Sequence, residues 1–166
     1  EPRGIPATCA NLIVNTNRPD CEAGYIIMEQ VEYPMMSGGN TIAVATALLE
    51  TGQVKMTGPV TEFNLEAPAG LIHIVAECDM ERRKVTKVSF ENVPAFPVYL
   101  DTEIDVPHVG KVKVDIAWGG MFYCLIDSTQ FKQYGPDGLE LIPKNGREIS
   151  KLSSLITTAA IEQLPV

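Results

Sequence analysis

The sequence predicts an α+β fold, mostly antiparallel strands with one enclosed helix, and three stretches carry that expectation. Ile42 to Leu49 reads IAVATALL, with Thr46 as its only polar residue, so this helix has no polar stripe to turn toward water and is expected to be wrapped on nearly all sides. Lys111 to Trp118 alternates strictly: Val112, Val114, Ile116 and Trp118 interleave with Lys113, Asp115 and Ala117, the pattern of a half-buried strand. Arg147 to Leu164 places Ile149, Leu152, Leu155, Ile156, Ala159 and Ala160 at helical spacing, an amphipathic face that needs a partner surface.

In chain order, Glu1 to Pro6 contains two prolines and a glycine and is expected to be extended or turning. Ala10 to Val14 is a short apolar strand, Asn15 to Glu22 a polar turn, and Gly24 to Glu29 a second, more buried strand. The central helix follows, over about residues 38–51, with Ser37 as N-cap and Gly52 as C-terminal stop. Val54 to Leu65 is interrupted at Gly58-Pro59, and Ala67 to Gly70 forms a turn before a strand over Leu71 to Cys78. Asp79 to Lys84 is a solvated hairpin tip, from which Val85 to Glu91 returns antiparallel.

Pro94 and Pro97 break regularity, and the domain crossing is placed there, giving domains 1–93 and 94–166. The second part opens with a strand over Val98 to Ile104. After the alternating strand, Gly119-Gly120 is a turn or bulge; a pocket-lining role is the alternative, but hairpin geometry explains two glycines without one. Met121 to Ile126 is expected as a buried strand, and Asp127 to Asn145 as loop.

Composition narrows the function classes. With 13 basic and 21 acidic residues the formal charge is −8, which opposes non-specific binding to nucleic acid or an anionic membrane surface. The longest apolar run falls far short of the ~20 residues that span a bilayer. Cys9, Cys21, Cys78 and Cys124 form no CxxC pair, and only His73 and His108 are present to assist a metal site. Two disulfides are possible in principle; acidic, core-like surroundings favour free thiols, and a cytoplasmic location is expected. The carboxylates show no spacing for two-carboxylate catalysis or a calcium loop. His73 reads as packed or outward-pointing, and His108 receives no role.

The chemistry-bearing stretch is Ser37-Gly38-Gly39-Asn40. Free N–H groups at a helix start carry partial positive charge and make an anion site, suited to phosphate or carboxylate. Taken alone, the pattern is as well explained by a capped loop before a core helix. Neither GxxxxGK[ST] nor GxGxxG is met, so no nucleotide fingerprint is present.

MMSGGNTIAVATALLETG, together with EPRG at the start, LEAPAGLI at 65–72, NVPAF at 92–96 and DIAWGGMFY at 115–123, resembles the proline racemase family, in the family's order and nearly end to end. The family includes proline racemase, 4-hydroxyproline epimerase and trans-3-hydroxyproline dehydratase. The resemblance implies a fold similar to diaminopimelate epimerase, each of two domains a sheet rolled around a central helix, with substrate between the two helix starts. It also implies that this chain lacks the family's first strands and most of its second domain, and with them the second catalytic residue, a cysteine at another glycine-rich helix start.

On the resemblance, Ser37 stands at the family's first cysteine, and Gly39 where the family often places His. Removing an α-proton on one face and returning it on the other takes two groups facing each other, and an alcohol is a far poorer base than a thiol. Dehydration of a 3-hydroxyproline needs only one base and a route for the β-hydroxyl to leave. The expectation is therefore a trans-3-hydroxy-L-proline dehydratase, with 4-hydroxyproline epimerase and then proline racemase as alternatives. Ser37 is the candidate catalytic residue, and the amides of Gly38, Gly39 and Asn40 are the candidate carboxylate site; the competing role for Ser37 is N-cap alone. No cofactor and no metal are implied, the expected partner is a small proline or hydroxyproline substrate, and a homodimer is possible. A small-carboxylate binding module or an inactive piece of the enzyme are the other classes.

Overall fold

The computed structural model describes residues 9–30 and 32–166. The expected extended segment Glu1 to Pro6 and the EPRG motif lie outside the described residues. The chain divides into two compact units, the first running to Pro94 and including Gly119–Met121, the second comprising Ala95–Trp118 and Phe122–Val166.

The first unit is a five-stranded sheet and a helix. Its strands are β1 (Ala10–Val14), β2 (Ala23–Met28), β3 (Val60–Ala67), β4 (Gly70–Asp79) and β5 (Lys84–Glu91), and α1 (Gly38–Glu50) connects β2 to β3. Spatial order follows chain order. All neighbours pair antiparallel except β2 and β3, which pair parallel at Ala23↔Leu65 and Gly24↔Glu66. That exception follows from α1: parallel neighbours need a long crossover, and this helix supplies it, whereas β3 to β4 and β4 to β5 turn in hairpins. Gly70 makes the first of these turns at φ 137°, and Asp79 closes the second by accepting from the amides of Glu81 and Arg82 at 3.1 and 3.0 Å.

The inner face of the sheet packs Tyr25, Ile27, Leu65, Ile72 and Ile74 against Val44, Ala45, Leu48 and Leu49 of α1. Gly52 at φ 76° terminates the helix as expected. The expectation of a helix wrapped on nearly all sides is corrected: Ile42 is 41% exposed, and Ala43 and Ala47 also face outward. A five-stranded sheet covers one side of a helix, so uniform hydrophobicity here marks a helix buried on one face within these residues, with an apolar stripe left on the other.

The second unit stacks a three-stranded antiparallel sheet on a helix. Strands β6 (Phe96–Val106), β7 (Gly110–Trp118) and β8 (Phe122–Leu125) lie in that order, and α2 (Gly146–Gln163) covers one face. The alternation of β7 is realised, with Val112, Val114 and Ile116 buried beside Ile104 and Val106 against Leu152, Ile156, Ala159 and Ala160. Gln163 fastens the helix to the outer strand, accepting from the Asp105 amide at 2.9 Å and donating to its carbonyl at 2.8 Å. Residues 127–145 are loop with three single turns of 3-10 helix.

Two expectations are corrected in this unit. Pro97 does not keep the chain out of the sheet: β6 begins at Phe96, tolerated because β6 is an edge strand, and its pairing with β7 slips on either side of Tyr99. Met121 to Ile126 was expected to be buried, yet Phe122, Tyr123 and Leu125 of β8 are each about half exposed, at 47%, 52% and 52%. β8 is the other edge of the sheet, and hydrophobicity does not reveal which strand stands last. No helix among the described residues is long and apolar enough to cross a membrane.

Candidate active site at the start of the central helix

The strand-to-helix connection delivers Ser37 in an extended conformation, φ −146° and ψ 121°, at the N-cap position of α1. Its carbonyl accepts the first helical bond, from the Thr41 amide at 2.9 Å, and a second from Thr41 Oγ1 at 2.8 Å. The amides of Gly38, Gly39 and Asn40 precede that first bond, and no acidic side chain occupies the first turn to neutralise them. The Ser37 hydroxyl does not cap the helix. Its backbone fits the N-cap reading while its side chain is engaged elsewhere.

The four sequence-predicted residues are together and accessible. Gly39 is exposed with open space where a Cβ would stand, and Ser37, Gly38 and Asn40 are half-buried. At Gly38 a Cβ would lie 3.1 Å from Cζ of Phe90, so the β5 aromatic sits against the helix start and a side chain there must displace it.

Behind the helix start lies a polar network that the sequence reading missed. Asn40 Nδ2 donates to Ser37 Oγ at 3.0 Å and to Glu29 Oε1 at 3.2 Å, and Asn40 Oδ1 accepts from Asn11 Nδ2 at 2.9 Å. Asn11 Oδ1 is buried without a partner among the described residues. One turn deeper, Tyr25 and Thr41 hydroxyls meet at 2.6 Å, both almost fully buried. Thr41 Oγ1 has its proton committed to the Ser37 carbonyl, so Tyr25 is the donor in that pair. Burial pushes the Tyr25 hydroxyl pKa up, offset in part by its bond with Thr41. A signal for Glu29 was present: strand parity puts Tyr25, Ile27 and Glu29 on one face, and a carboxylate on a face that is otherwise core is out of place.

The connection is braced from outside as well. The Ala69 amide donates to the Met35 carbonyl at 3.1 Å, and Asn92 Nδ2 donates to the Gly119 carbonyl at 3.0 Å. Gly120, buried at φ 100°, would place a Cβ only 2.7 Å from Cβ of Met36, the residue before Ser37. Gly120 is thus required by a close approach as well as by its turn.

The remaining candidates carry less chemistry. All four cysteines are free. Cys21 and Cys124 are both held above the usual thiol range, first by burial and then by the neighbouring Asp20 and Asp115 carboxylates, which opposes thiolate formation. His73 bonds Asn64 Oδ1 at 2.8 Å and approaches Glu62 at 3.6 Å on the sheet, and His108 holds φ 66° in the β6–β7 turn. Among the described residues no three His, Cys, Asp or Glu side chains gather where they could hold a metal ion. In the second unit an apolar groove of about 380 Å³ runs between β8 and the end of α2, lined by Phe122, Tyr123, Cys124, Thr157, Ile161 and Leu164, with no acidic or basic side chain in its lining.

Comparison with known proteins agrees with this architecture. The family model described as proline racemase matches residues 1–166. A 4-hydroxyproline 2-epimerase of Rhizobium etli is 45% identical over 130 residues, 78% of this chain and 37% of that protein. Among solved structures, a probable proline racemase from Agrobacterium radiobacter K84 with bound carbonate superposes with a TM-score of 0.82 at 36% identity, covering 100% of this chain and 46% of that one. A hydroxyproline epimerase from Agrobacterium vitis with bound trans-4-hydroxy-L-proline gives 0.76 at 36% identity, over 92% of this chain and 42% of that one. The chain therefore spans 37% of the length of the curated relative and less than half of either structure.

Proposed function

This chain belongs to the proline racemase family, and from that premise we propose that it supplies one face of a cofactor-independent active site working at the α-carbon of a hydroxyproline, with dehydration of trans-3-hydroxy-L-proline as the reaction. The amides of Gly38, Gly39 and Asn40 receive the substrate carboxylate, the role their position ahead of the first helical bond suits. Ser37 faces the substrate as a hydroxyl. A base supplied outside this chain takes the α-proton, leaving the C–H electron pair on Cα; that pair forms the Cα–Cβ double bond as the Cβ–O bond breaks, the departing hydroxide takes a proton from solvent and leaves as water, and the enamine tautomerises to a cyclic imine.

The observation that carries the choice is the environment of Ser37. Its oxygen accepts from Asn40, and among the described residues no imidazole or carboxylate bonds it to take its proton. A serine so placed is no match for a thiolate in two-base inversion, and a one-base elimination asks less of it. The second reading, 4-hydroxyproline epimerase, is favoured by the 45% identity to the Rhizobium etli enzyme.

Protein expressed from its complete reading frame is to be incubated in D2O with trans-3-hydroxy-L-proline, trans-4-hydroxy-L-proline and L-proline and followed by proton NMR. The dehydratase reading expects cyclic imine from the first substrate alone. Inversion of the second without loss of water would move the assignment to the epimerase. Inertness toward all three would overturn the enzyme reading.

A further inference from the structure

We propose that Glu29, acting through Asn40, orders the Ser37 hydroxyl so that it serves as a hydrogen-bond donor to the ligand; Glu29 and Asn40 are positioning residues for that proton. The functional use of the proton rests on the dehydratase reading above, while the ordering itself rests on geometry alone.

A carboxylate only accepts, so of the two ends of the Asn40 amide the nitrogen must face Glu29 Oε1 at 3.2 Å. The same nitrogen then faces Ser37 Oγ at 3.0 Å and donates to it. Asn40 Oδ1 is left facing Asn11, which must answer with its own nitrogen, at 2.9 Å. That choice strands Asn11 Oδ1, the one buried side-chain polar atom without a partner among the described residues. An unsatisfied buried oxygen is costly, and it marks an arrangement imposed from the Glu29 end rather than one in which each amide settles its own bonds. Reversing both amides would leave Asn40 Oδ1 against a carboxylate, which is worse.

With Asn40 donating into Oγ, the Ser37 proton has no acceptor among the described residues. The hydroxyl lies beside the amides of Gly38 and Gly39, so a ligand whose carboxylate sits on those amides brings its ring within reach of a donor. For a β-hydroxylated imino acid the acceptor is the departing oxygen, on which negative charge develops. A donor aimed where charge develops is the arrangement that lowers a barrier without tightening ground-state binding.

The test is Asn40→Asp, which keeps the shape and replaces the donor by an acceptor, forcing Ser37 to turn its proton inward. In the complete protein, kcat for trans-3-hydroxy-L-proline should fall roughly 100-fold, the typical loss for one such donor, with α-deuterium exchange in D2O retained, while the added charge beside the carboxylate site separately raises KM. Ser37→Ala should give the same loss, and the double variant no more than either alone. Additive losses in the double variant, or undiminished turnover in Asn40→Asp, would overturn the proposal. Glu29→Gln, which removes the ordering charge at constant shape, should give a partial loss and serves if Asn40→Asp does not fold. If no substrate is turned over at all, the dehydratase reading fails by itself. The ordering is then judged by the Asn40 side-chain resonances of 15N-labelled protein, which must shift in Ser37→Ala; unchanged resonances refute it.

Discussion

Gly119 and Gly120 are neighbours in sequence with opposite structural demands, and replacing each by alanine separates a turn from a brace. At Gly120 the added Cβ would stand 2.7 Å from Met36 Cβ, where ordinary contact is 3.4–4 Å, so the overlap is close to 1 Å. The atom met is a Cβ rather than the tip of a flexible chain, and side-chain rotation cannot relieve it. The backbone adds strain, since φ is 100° and a left-handed conformation costs an L-residue about 1–2 kcal/mol. Overpacking of a filled site costs about 1–3 kcal/mol, so Gly120→Ala should lose about 2–5 kcal/mol in all. At this chain length each kcal/mol moves Tm by about 2–4 °C, a fall of roughly 4–20 °C. Gly119→Ala meets nothing within 4 Å and has no positive φ to fight, and its bonds to Met121 and Asn92 are made by backbone atoms that alanine keeps. It should stay within about 0.5 kcal/mol of the parent. Urea and thermal unfolding followed by far-ultraviolet circular dichroism measure both. Equal losses in the two variants would show that the Met36 contact does not hold the Ser37 turn and that the pair of glycines is a turn only.

Tyr25→Phe removes the donor to Thr41 and should cost about 1 kcal/mol, whereas Thr41→Val also strands the buried Tyr25 hydroxyl and should cost about 1–3 kcal/mol, with urea unfolding of both and of the double variant as the check. Glu50 bonds the Lys84 ammonium and accepts from the Val85 amide, and these hold its carboxyl below the usual carboxylate range, the Lys84 bond first. A folded-state pKa depressed in this way stabilises the fold above the unfolded-state value and is lost as pH falls through the folded one. Glu50→Gln should therefore lower stability at neutral pH and flatten the acid limb of the stability–pH curve, the variant and parent curves converging at low pH; an unchanged acid limb would remove Glu50 from the explanation.

The elements of this chain were legible in its sequence because each is set by local periodicity and punctuation. Strict alternation at Val112, Val114 and Ile116, glycines at 52 and 70 and the apolar spacing of Leu152, Ile156 and Ala160 place strands, stops and a helix face without reference to anything distant. The glycine-rich start of α1 was legible for the same reason, as was the resemblance, which is itself a matter of local motifs in order. Tertiary structure alone decided which apolar surfaces are covered. The outward stripe of Ile42, Ala43 and Ala47 and the half-exposed β8 have the same hydrophobicity as buried segments, and burial depends on how many neighbouring strands are present to cover them. It also decided the surroundings of Ser37. Asn11, Glu29, Asn40 and Gly120 lie up to 109 positions apart, from 11 to 120, and reach one turn only because β1, β2, α1 and the 119–121 segment converge there. A hydrogen bond or a close contact between distant residues leaves no periodicity to read, so the groups that tune a site are fixed by packing even where the site itself is written in the sequence.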